Sequence, residues 1–155
     1  MMLNRNFIQD RDSFLNLLEL ELKRSLRYQS FTSVLLVEIP ARKLDPTKTT
    51  SLERVVNSLS SQIRETDIIG TTNELMIAII LLNCDKRSTS EVADRVSSWT
   101  SQYFGADNGR NDSRVGVGTA CFPTHATDSE HLLSTAAEVL ETSKLQAEAQ
   151  SRFQP

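Results

Sequence analysis

The segment that most constrains the fold is Ile63–Leu82, in which a short polar break separates two apolar stretches. After the break, Leu75–Leu82 continues almost without a polar residue. A continuous apolar run bounded by turn residues is typical of a strand that is buried on both faces of a sheet. Gly70 and Asn73 tolerate unusual backbone angles, so the break predicts a hairpin with a loop of about three to five residues. We therefore expect Leu75–Leu82 to form an interior strand that the rest of the chain covers.

Apolar residues repeat at helical spacing in four other segments. The first predicted helix runs from about Asp12 to Tyr28, and its core-facing stripe is expected to contain Leu15, Leu18, Leu22 and Leu26. Three later segments begin with a hydroxyl residue followed three positions on by glutamate, the capping box of a helix N-terminus. These boxes start at Thr50, Ser88 and Thr127, and each precedes an apolar stripe.

Two further segments have the composition of strands. Phe31–Ile39 is rich in branched and aromatic residues, and Arg114–Phe122 alternates until Pro123. Without the first and last helices, the order is βαββαβ, which predicts an α+β, ferredoxin-like core whose four-stranded antiparallel sheet carries helices on one face. We expect one domain over residues 10–148, with residues 1–9 and 149–155 as flexible tails.

Composition excludes several classes of function. The 155 residues carry a net charge of −3, which argues against a nucleic-acid partner, because affinity for phosphate backbones depends on clustered Lys and Arg. Cys84 and Cys121 adjoin apolar residues and are expected to be buried free thiols, and no Cys/His spacing suggests a metal site. The longest apolar run is too short to cross a membrane, so we expect a cytoplasmic domain, complete or cut from a larger protein.

Several segments together resemble the GGDEF family, the diguanylate cyclases that join two GTP molecules into cyclic di-GMP. Leu22–Tyr28 and Ser33–Ile39 are similar to the first helix and first strand of that family, and Ile63–Gly70 to the segment before its signature hairpin. Val115–Ala120 resembles the later strand usually written S-I-G-I-A, and Ala136–Lys144 resembles the last helix. The resemblance implies the fold of the nucleotide cyclase palm domains and a place in cyclic di-GMP signalling.

The signature of the family is missing from this chain. Counted without gaps, Asn73-Glu74-Leu75-Met76-Ile77 stands where GGDEF is expected; a gapped alignment places Asn73-Glu74-Leu75 at the D-E-F positions, still without the glycines. Cyclisation in the family requires two divalent cations held by carboxylates. The ungapped resemblance places one of these ligands at Leu75, which cannot bind Mg²⁺, and the other at Glu38, which remains only as a remnant. The resemblance therefore implies a degenerate domain that is not an enzyme and uses no cofactor.

The phosphate-binding positions of the family are kept only in part. Lys43 and Lys144 match its phosphate-binding lysines. Pro40 stands where the second Asp of the usual D-I-D is expected, Pro46 where an Asn contacts guanine, and Glu148 where an arginine follows the second lysine. A carboxylate in place of that arginine would repel a triphosphate.

The R-x-x-D motif that precedes the signature in the family is present as Arg64 and Asp67. In the family this motif binds the product cyclic di-GMP at an inhibitory site. An arginine can pair bidentately with guanine or phosphate, and a carboxylate can accept the N–H donors of guanine. The alternative is structural: Arg64 ends a helix and pairs with Asp67 as a local salt bridge.

Three classes of function follow from these observations. The first is an inactive signalling domain that acts through a protein partner, an attached output domain or a homodimer. The second is a cyclic di-GMP receptor that uses Arg64 and Asp67. The third, an RNA-binding domain on the same frame, is disfavoured because the central strands carry no exposed aromatic pattern.

Overall fold

The computed structural model describes residues 7–40, 50–73, 75–104 and 116–153. In these ranges the chain forms five strands and four helices: β1 (Phe7–Ile8), α1 (Arg11–Tyr28), β2 (Thr32–Glu38), α2 (Thr50–Ser60), β3 (Ile68–Asn73), β4 (Met76–Leu82), α3 (Lys86–Phe104), β5 (Val117–Phe122) and α4 (Ser129–Phe153). The strands make one sheet in the order β1-β3-β4-β2-β5. Strand β1 runs parallel to β3, and all other neighbours are antiparallel.

Strand β4 lies in the middle of the sheet, as its apolar sequence predicts. It pairs with β3 on one side and with β2 on the other, and Ile77–Leu81 is fully buried. Asn73 and Met76 are partners across the β3–β4 hairpin, so the connection is shorter than expected. The Asn73 side chain accepts a hydrogen bond from the Leu75 N–H at 3.0 Å, a local contact that fixes the turn.

Helices cover both faces of the sheet, and the helices of the βαββαβ core lie together on one face, as expected. The core helices α2 and α3 cover one face, while the added helices α1 and α4 cover the other. The reason is that β2 and β4 are apolar at successive positions, which gives each face its own hydrophobic layer. Against α1 and α4 lie Val34, Leu36, Ala78 and Ile80; against α2 and α3 lie Leu35, Val37, Ile77, Ile79 and Leu81.

Helix α4 packs against β5 with almost no space between the two backbones. A Cβ atom on Gly118 would lie 2.1 Å from the Ala136 carbonyl oxygen, a distance that no real contact allows. The absent side chain therefore permits this close approach, which sets the height of α4 above the sheet.

The buried stripe of α1 differs from the predicted stripe. Phe14, Leu18, Leu22 and Ser25 are buried, whereas Leu26 is 71% exposed. A straight helix drifts relative to a strict four-residue repeat, so after Leu22 the position facing the sheet is Ser25. The Ser25 hydroxyl then forms a short hydrogen bond with the Thr32 hydroxyl of β2.

Two helices begin at a carboxylate rather than at the predicted capping box. Asp85 Oδ1 accepts the Ser88 N–H at 2.8 Å before α3, and Asp128 Oδ1 accepts the His131 N–H at 2.8 Å before α4. Hydrogen bonds from Ser88 lower the pKa of the Asp85 carboxyl, so this cap is charged at neutral pH.

Both expected tails contain regular secondary structure. Phe7 and Ile8 pair with Ile69 and Gly70 as strand β1, and the α4 backbone continues to Phe153. The last turns of α4 are rich in Ala, Gln and Glu, which are strong helix formers. None of the helices in the described part of the chain is long and apolar enough to cross a membrane.

Candidate functional site

Strands β2 and β4 define two ends of the sheet, and each end carries one pair of the residues that the sequence singles out. At the hairpin end, Glu38 of β2 is the partner of Met76 of β4. At the arginine end, Thr32 is the partner of Leu82. Strands of this length span about 20 Å, so the two sets of candidate residues cannot form one site.

At the hairpin end, Glu38 and Lys144 form an ion pair. Glu38 follows the alternation of Val34 and Leu36, so its side chain lies on the face covered by α4. Lys144 Nζ lies 2.8 Å from Glu38 Oε2, and the two side chains are 29% and 30% exposed, respectively. The same ammonium is 3.7 Å from Glu141 Oε1. The pair joins the end of β2 to the second half of α4.

Leu75 lies beside this ion pair. Its carbonyl oxygen accepts the Ile39 N–H at 2.7 Å, which ties the hairpin to the end of β2. The described side chains here do not fit a divalent cation, because Glu38 faces an ammonium and Leu75 has no side-chain oxygen. Within the described ranges, no group of three His, Cys, Asp or Glu side chains could hold a metal ion. Lys43, Pro46 and Glu74, and the side chain of Glu148, lie outside the described residues.

At the arginine end, Arg64 and Asp67 form a bidentate pair. Arg64 Nε donates to Asp67 Oδ2 at 3.3 Å, and its terminal NH2 donates to Asp67 Oδ1 at 3.1 Å. The Asp67 side chain is 1% exposed, whereas half of the Arg64 side chain, 51%, is open to solvent. The salt bridge that sequence reasoning offers as the structural alternative is therefore present.

The Asp67 carboxylate also holds the backbone at both sides of the pair. Its Oδ2 accepts the Arg64 N–H at 3.1 Å, and its Oδ1 accepts the Leu82 N–H at 3.2 Å. The Arg64 guanidinium also donates a short hydrogen bond to the Leu82 carbonyl, so both partners of the ion pair contact the backbone of Leu82. A carboxylate has about four acceptor positions, and Asp67 accepts four hydrogen bonds, three from Arg64 and one from Leu82. Asp67 thus fastens the start of β3 to the end of β4.

The two cysteines are buried and free, as their sequence context predicts. Cys84 lies in the layer under α2 and α3, where the Thr89 hydroxyl lies 3.3 Å from its sulfur. Burial raises the pKa of the Cys84 thiol, which keeps it protonated and unreactive at neutral pH.

Sequence reasoning pointed to Glu38 and Lys144 separately but not to their contact. The two residues are 106 positions apart, and nothing in the local pattern of either segment indicates a pair. The signal was indirect: the family resemblance assigns both residues to neighbouring parts of one nucleotide site. The part played by Leu82 in the arginine pair was also missed, because it uses only backbone atoms.

Comparison with known proteins agrees with this fold. A family model described as "Diguanylate cyclase, GGDEF domain" matches residues 49–150, which is more than half of the chain. No curated protein sequence matches. A truncated TpbB (YfiN) from Pseudomonas aeruginosa, comprising only the GGDEF domain, is similar in structure, with 20% identity over 90% of this chain and 86% of that chain and a TM-score of 0.72.

Two further solved structures share the fold. The active GGEEF domain of a diguanylate cyclase from Vibrio cholerae has 14% identity over 90% of this chain and 92% of that chain, with a TM-score of 0.72. The GGDEF domain of DgcB from Caulobacter crescentus, solved in complex with c-di-GMP, has 14% identity over 94% of this chain and 86% of that chain, with a TM-score of 0.65. At these identities the likeness shows the architecture alone.

Proposed function

Because this chain belongs to the GGDEF family of diguanylate cyclase domains, we propose that it is a catalytically inactive member that works through protein contacts or by regulating an attached domain. The single observation that carries this proposal is the ion pair between Glu38 and Lys144. The family resemblance assigns Glu38 to metal binding and Lys144 to phosphate binding, and here each neutralises the other.

The ion pair works against catalysis in two ways. A divalent cation at Glu38 would have to displace the Lys144 ammonium or lie next to it, and like charges at such short range repel strongly. The lysine, in turn, is held away from a triphosphate by its contact with the carboxylate. Leu75 weakens cation binding further, because it offers no second carboxylate at the hairpin. Among the described residues, Glu38, Leu75 and Lys144 then supply neither the cation ligands nor the phosphate contact that cyclisation needs.

An activity assay tests the proposal directly. The purified domain is incubated with GTP and either Mg²⁺ or Mn²⁺, and the products are separated by chromatography beside an active GGEEF domain as the positive control. We expect no cyclic di-GMP above the level of a sample without protein. Product that appears with the wild type and disappears with Glu38→Ala would overturn the proposal.

A binding measurement separates lost chemistry from lost substrate binding. Calorimetry with GTP and Mg²⁺ is expected to give no heat of binding to the wild type or to Lys144→Met. Lys144→Met leaves Glu38 without its ammonium while keeping a side chain of similar length. GTP binding to the wild type with metal dependence would contradict the inactive assignment even if no product formed.

A second candidate function is a cyclic di-GMP receptor that uses Arg64, and the half-exposed side chain of this residue favours it. Arginine can offer paired, charge-assisted hydrogen bonds to guanine or phosphate. Asp67 works against this candidate, because a guanine N–H would have to replace a hydrogen bond that the carboxylate already accepts. The site would therefore bind mainly through Arg64.

Titration with cyclic di-GMP distinguishes the two candidates. If the receptor function holds, Arg64→Ala is expected to weaken binding about fiftyfold, equivalent to roughly 2–3 kcal/mol, through loss of the paired bonds. Glu65→Ala, at the exposed neighbouring position, serves as the matched control and should bind like the wild type. No heat of binding to the wild type at about 100 µM dinucleotide would rule the receptor out.

A further inference from the structure

A cavity opens between α1 and α4 at the hairpin end of the sheet. Its volume is about 380 Å³, within the range of about 300–1,000 Å³ that is usual for small-molecule sites. Its floor is apolar, with Leu36 of β2, Met76 of β4 and Ala137 of α4. Glu38 and Lys144, which the family resemblance assigns to nucleotide binding, are not among the described residues that line it. The cavity is therefore a separate candidate site.

The position of the cavity follows from how α1 and α4 meet the sheet. Helix α1 starts at the hairpin end, where the Thr71 hydroxyl donates to the Gln9 carbonyl at 3.1 Å, and Arg11 is its first residue. Helix α4 starts farther along α1, where Glu19 accepts the Ser129 N–H at 3.0 Å. Arg11 lies about 12 Å along α1 from this contact, and the cavity occupies the space between the two helices on that side.

The hairpin contributes an irregular residue to the lining. Thr71 pairs with Ile77 and Asn73 pairs with Met76, so the intervening Thr72 has no partner on β4. An extra residue of this kind bends the strand and changes the direction of its side chain. Thr72 lines the cavity, where its hydroxyl adds a hydrogen-bonding group above the apolar floor.

The rim of the cavity carries one charge of each sign. Among the described residues that line it, Arg11 is the only basic one and Glu130, in the first turn of α4, is the only acidic one. Both are exposed, and neither forms a salt bridge with another residue in the described ranges. A guanidinium can pair with a carboxylate, and a carboxylate can pair with an ammonium. A phosphate ligand fits poorly, because Glu130 would repel it.

We propose that this cavity binds a small zwitterion with an apolar body, the chemistry of an apolar amino acid or of a short peptide of such residues. The ligand carboxylate pairs with Arg11, its ammonium pairs with Glu130, and its apolar side chain lies against Leu36 and Met76. Burial of the apolar side chain favours binding, and the two charges fix the orientation. The inference goes beyond the proposed function and does not rest on it, because it involves no nucleotide.

Titration of the full chain with a matched set of leucine compounds tests the proposal. L-leucine and L-leucyl-L-leucine carry both charges, leucinamide lacks the carboxylate, and N-acetyl-leucine lacks the ammonium. Amide NMR spectra follow each compound up to about 10 mM, because a ligand of this size is expected to have a Kd on the order of 1 mM.

We expect at least one of the two zwitterions to bind roughly fivefold or more tighter than either singly charged compound and to shift the amide signals of Thr72 and Ser134, which both line the cavity. The amino acid and the dipeptide distinguish the two sources of the ligand. No shift with either zwitterion, or shifts confined to the arginine end of the sheet, would overturn the proposal.

Charge-removing variants test the two ends of the ligand separately. Arg11→Gln should weaken binding of the zwitterion and of N-acetyl-leucine about tenfold and leave leucinamide unchanged, whereas Glu130→Gln should weaken the zwitterion and leucinamide and leave N-acetyl-leucine unchanged. The matched controls are Arg87→Gln and Glu91→Gln, exposed on α3 on the opposite face, which should bind like the wild type. Losses that do not depend on which charge the compound carries would contradict the proposal.

Filling the cavity provides the decisive measurement. Ala137→Leu places a larger apolar side chain at a partly buried position of the lining and should abolish binding of every compound. Ser134→Leu does the same from an exposed position of the lining, so it serves if Ala137→Leu does not fold. Thermal melts check that the variants fold. Zwitterion binding that persists unchanged in a folded variant of this kind would show that the ligand lies elsewhere and would refute the proposal.

Discussion

The two ends of the central strands each carry an ion pair, and the pairs differ in how far water reaches them. At the arginine end, Asp67 is sealed from solvent and accepts hydrogen bonds from backbone and side chain together. At the hairpin end, Glu38 and Lys144 are partly exposed and share one close contact. A buried carboxylate that fastens several chain segments cannot be removed without leaving unsatisfied donors, whereas a partly exposed pair can be replaced at little cost.

This difference fits the proposal that the domain is inactive yet carries the R-x-x-D motif. The residues that would serve catalysis lie at the rim of the sheet, where replacement costs the fold little. Arg64 and Asp67, in contrast, hold the start of β3 against the end of β4. Arg64 and Asp67 therefore have a structural role that does not depend on a ligand.

The largest expected effect is at the arginine end. Asp67→Ala should lower the free energy of unfolding by about 3 kcal/mol, because it leaves the N–H groups of Arg64 and Leu82 without their acceptor and the guanidinium without its partner. Urea denaturation measures the change, with Glu65→Ala as the exposed control. A decrease in the free energy of unfolding of less than about 1 kcal/mol would mean that water replaces the carboxylate. The two ion pairs would then contribute similarly to stability.

A smaller effect is expected at the hairpin end. Lys144→Met should lower the free energy of unfolding by about 0.5–1 kcal/mol, since the pair is screened by solvent. The difference from the wild type should shrink further in about 0.5 M NaCl. Arg87→Ala, which removes the much more exposed pair with Glu91, should change stability by less than about 0.5 kcal/mol. A loss at Lys144 as large as that at Asp67 would remove the distinction between the ends.

The smallest effect concerns pH and the start of α4. Glu19 of α1 accepts the Ser129 N–H at 3.0 Å, and hydrogen bonds from Ser129 lower the pKa of the Glu19 carboxyl below its ordinary value of 4.5. A carboxyl with a lowered folded-state pKa stabilises the fold above its unfolded pKa, and this contribution disappears as the pH falls through the folded value. The melting temperature of Glu19→Gln should therefore lie below that of the wild type at about pH 7 and approach it near about pH 3. A gap that is constant over this range would show that the charge plays no part.

Sequence patterns predicted the centre of this fold better than its periphery. The apolar run of β4 is long and continuous, so its interior position follows from hydrophobicity alone. Strand β1 has two residues, too few for any periodicity to be visible. The helix starts at Asp85 and Asp128 were missed because Ser and Thr nearby match the capping pattern equally well in sequence, and only the backbone decides which side chain reaches the free N–H groups.

The two candidate sites also differ in how far they could be predicted from the sequence. Arg64 and Asp67 are three residues apart, so their salt bridge could be foreseen as a local contact. The Glu38–Lys144 contact depends on how α4 lies across the sheet, which in turn depends on the close packing of Gly118 against Ala136. Contacts between distant segments are set by tertiary packing and leave no periodic trace in either segment.

The place of β4 between β3 and β2 also bears on the order in which the chain folds. The β3–β4 hairpin joins residues that are neighbours in sequence. Strand β2 is separated from β4 by the whole of α2. Strand β5 pairs with β2 from much farther along the chain, as in the pairing of Val37 with Val117. Loop closure favours the local pairing, so we expect the hairpin to form first, β2 to pair with it next, and β5 to join the outer edge of β2 last. The two strands on either side of the β3–β4 turn are thus expected to be the part of the molecule on which the other strands assemble.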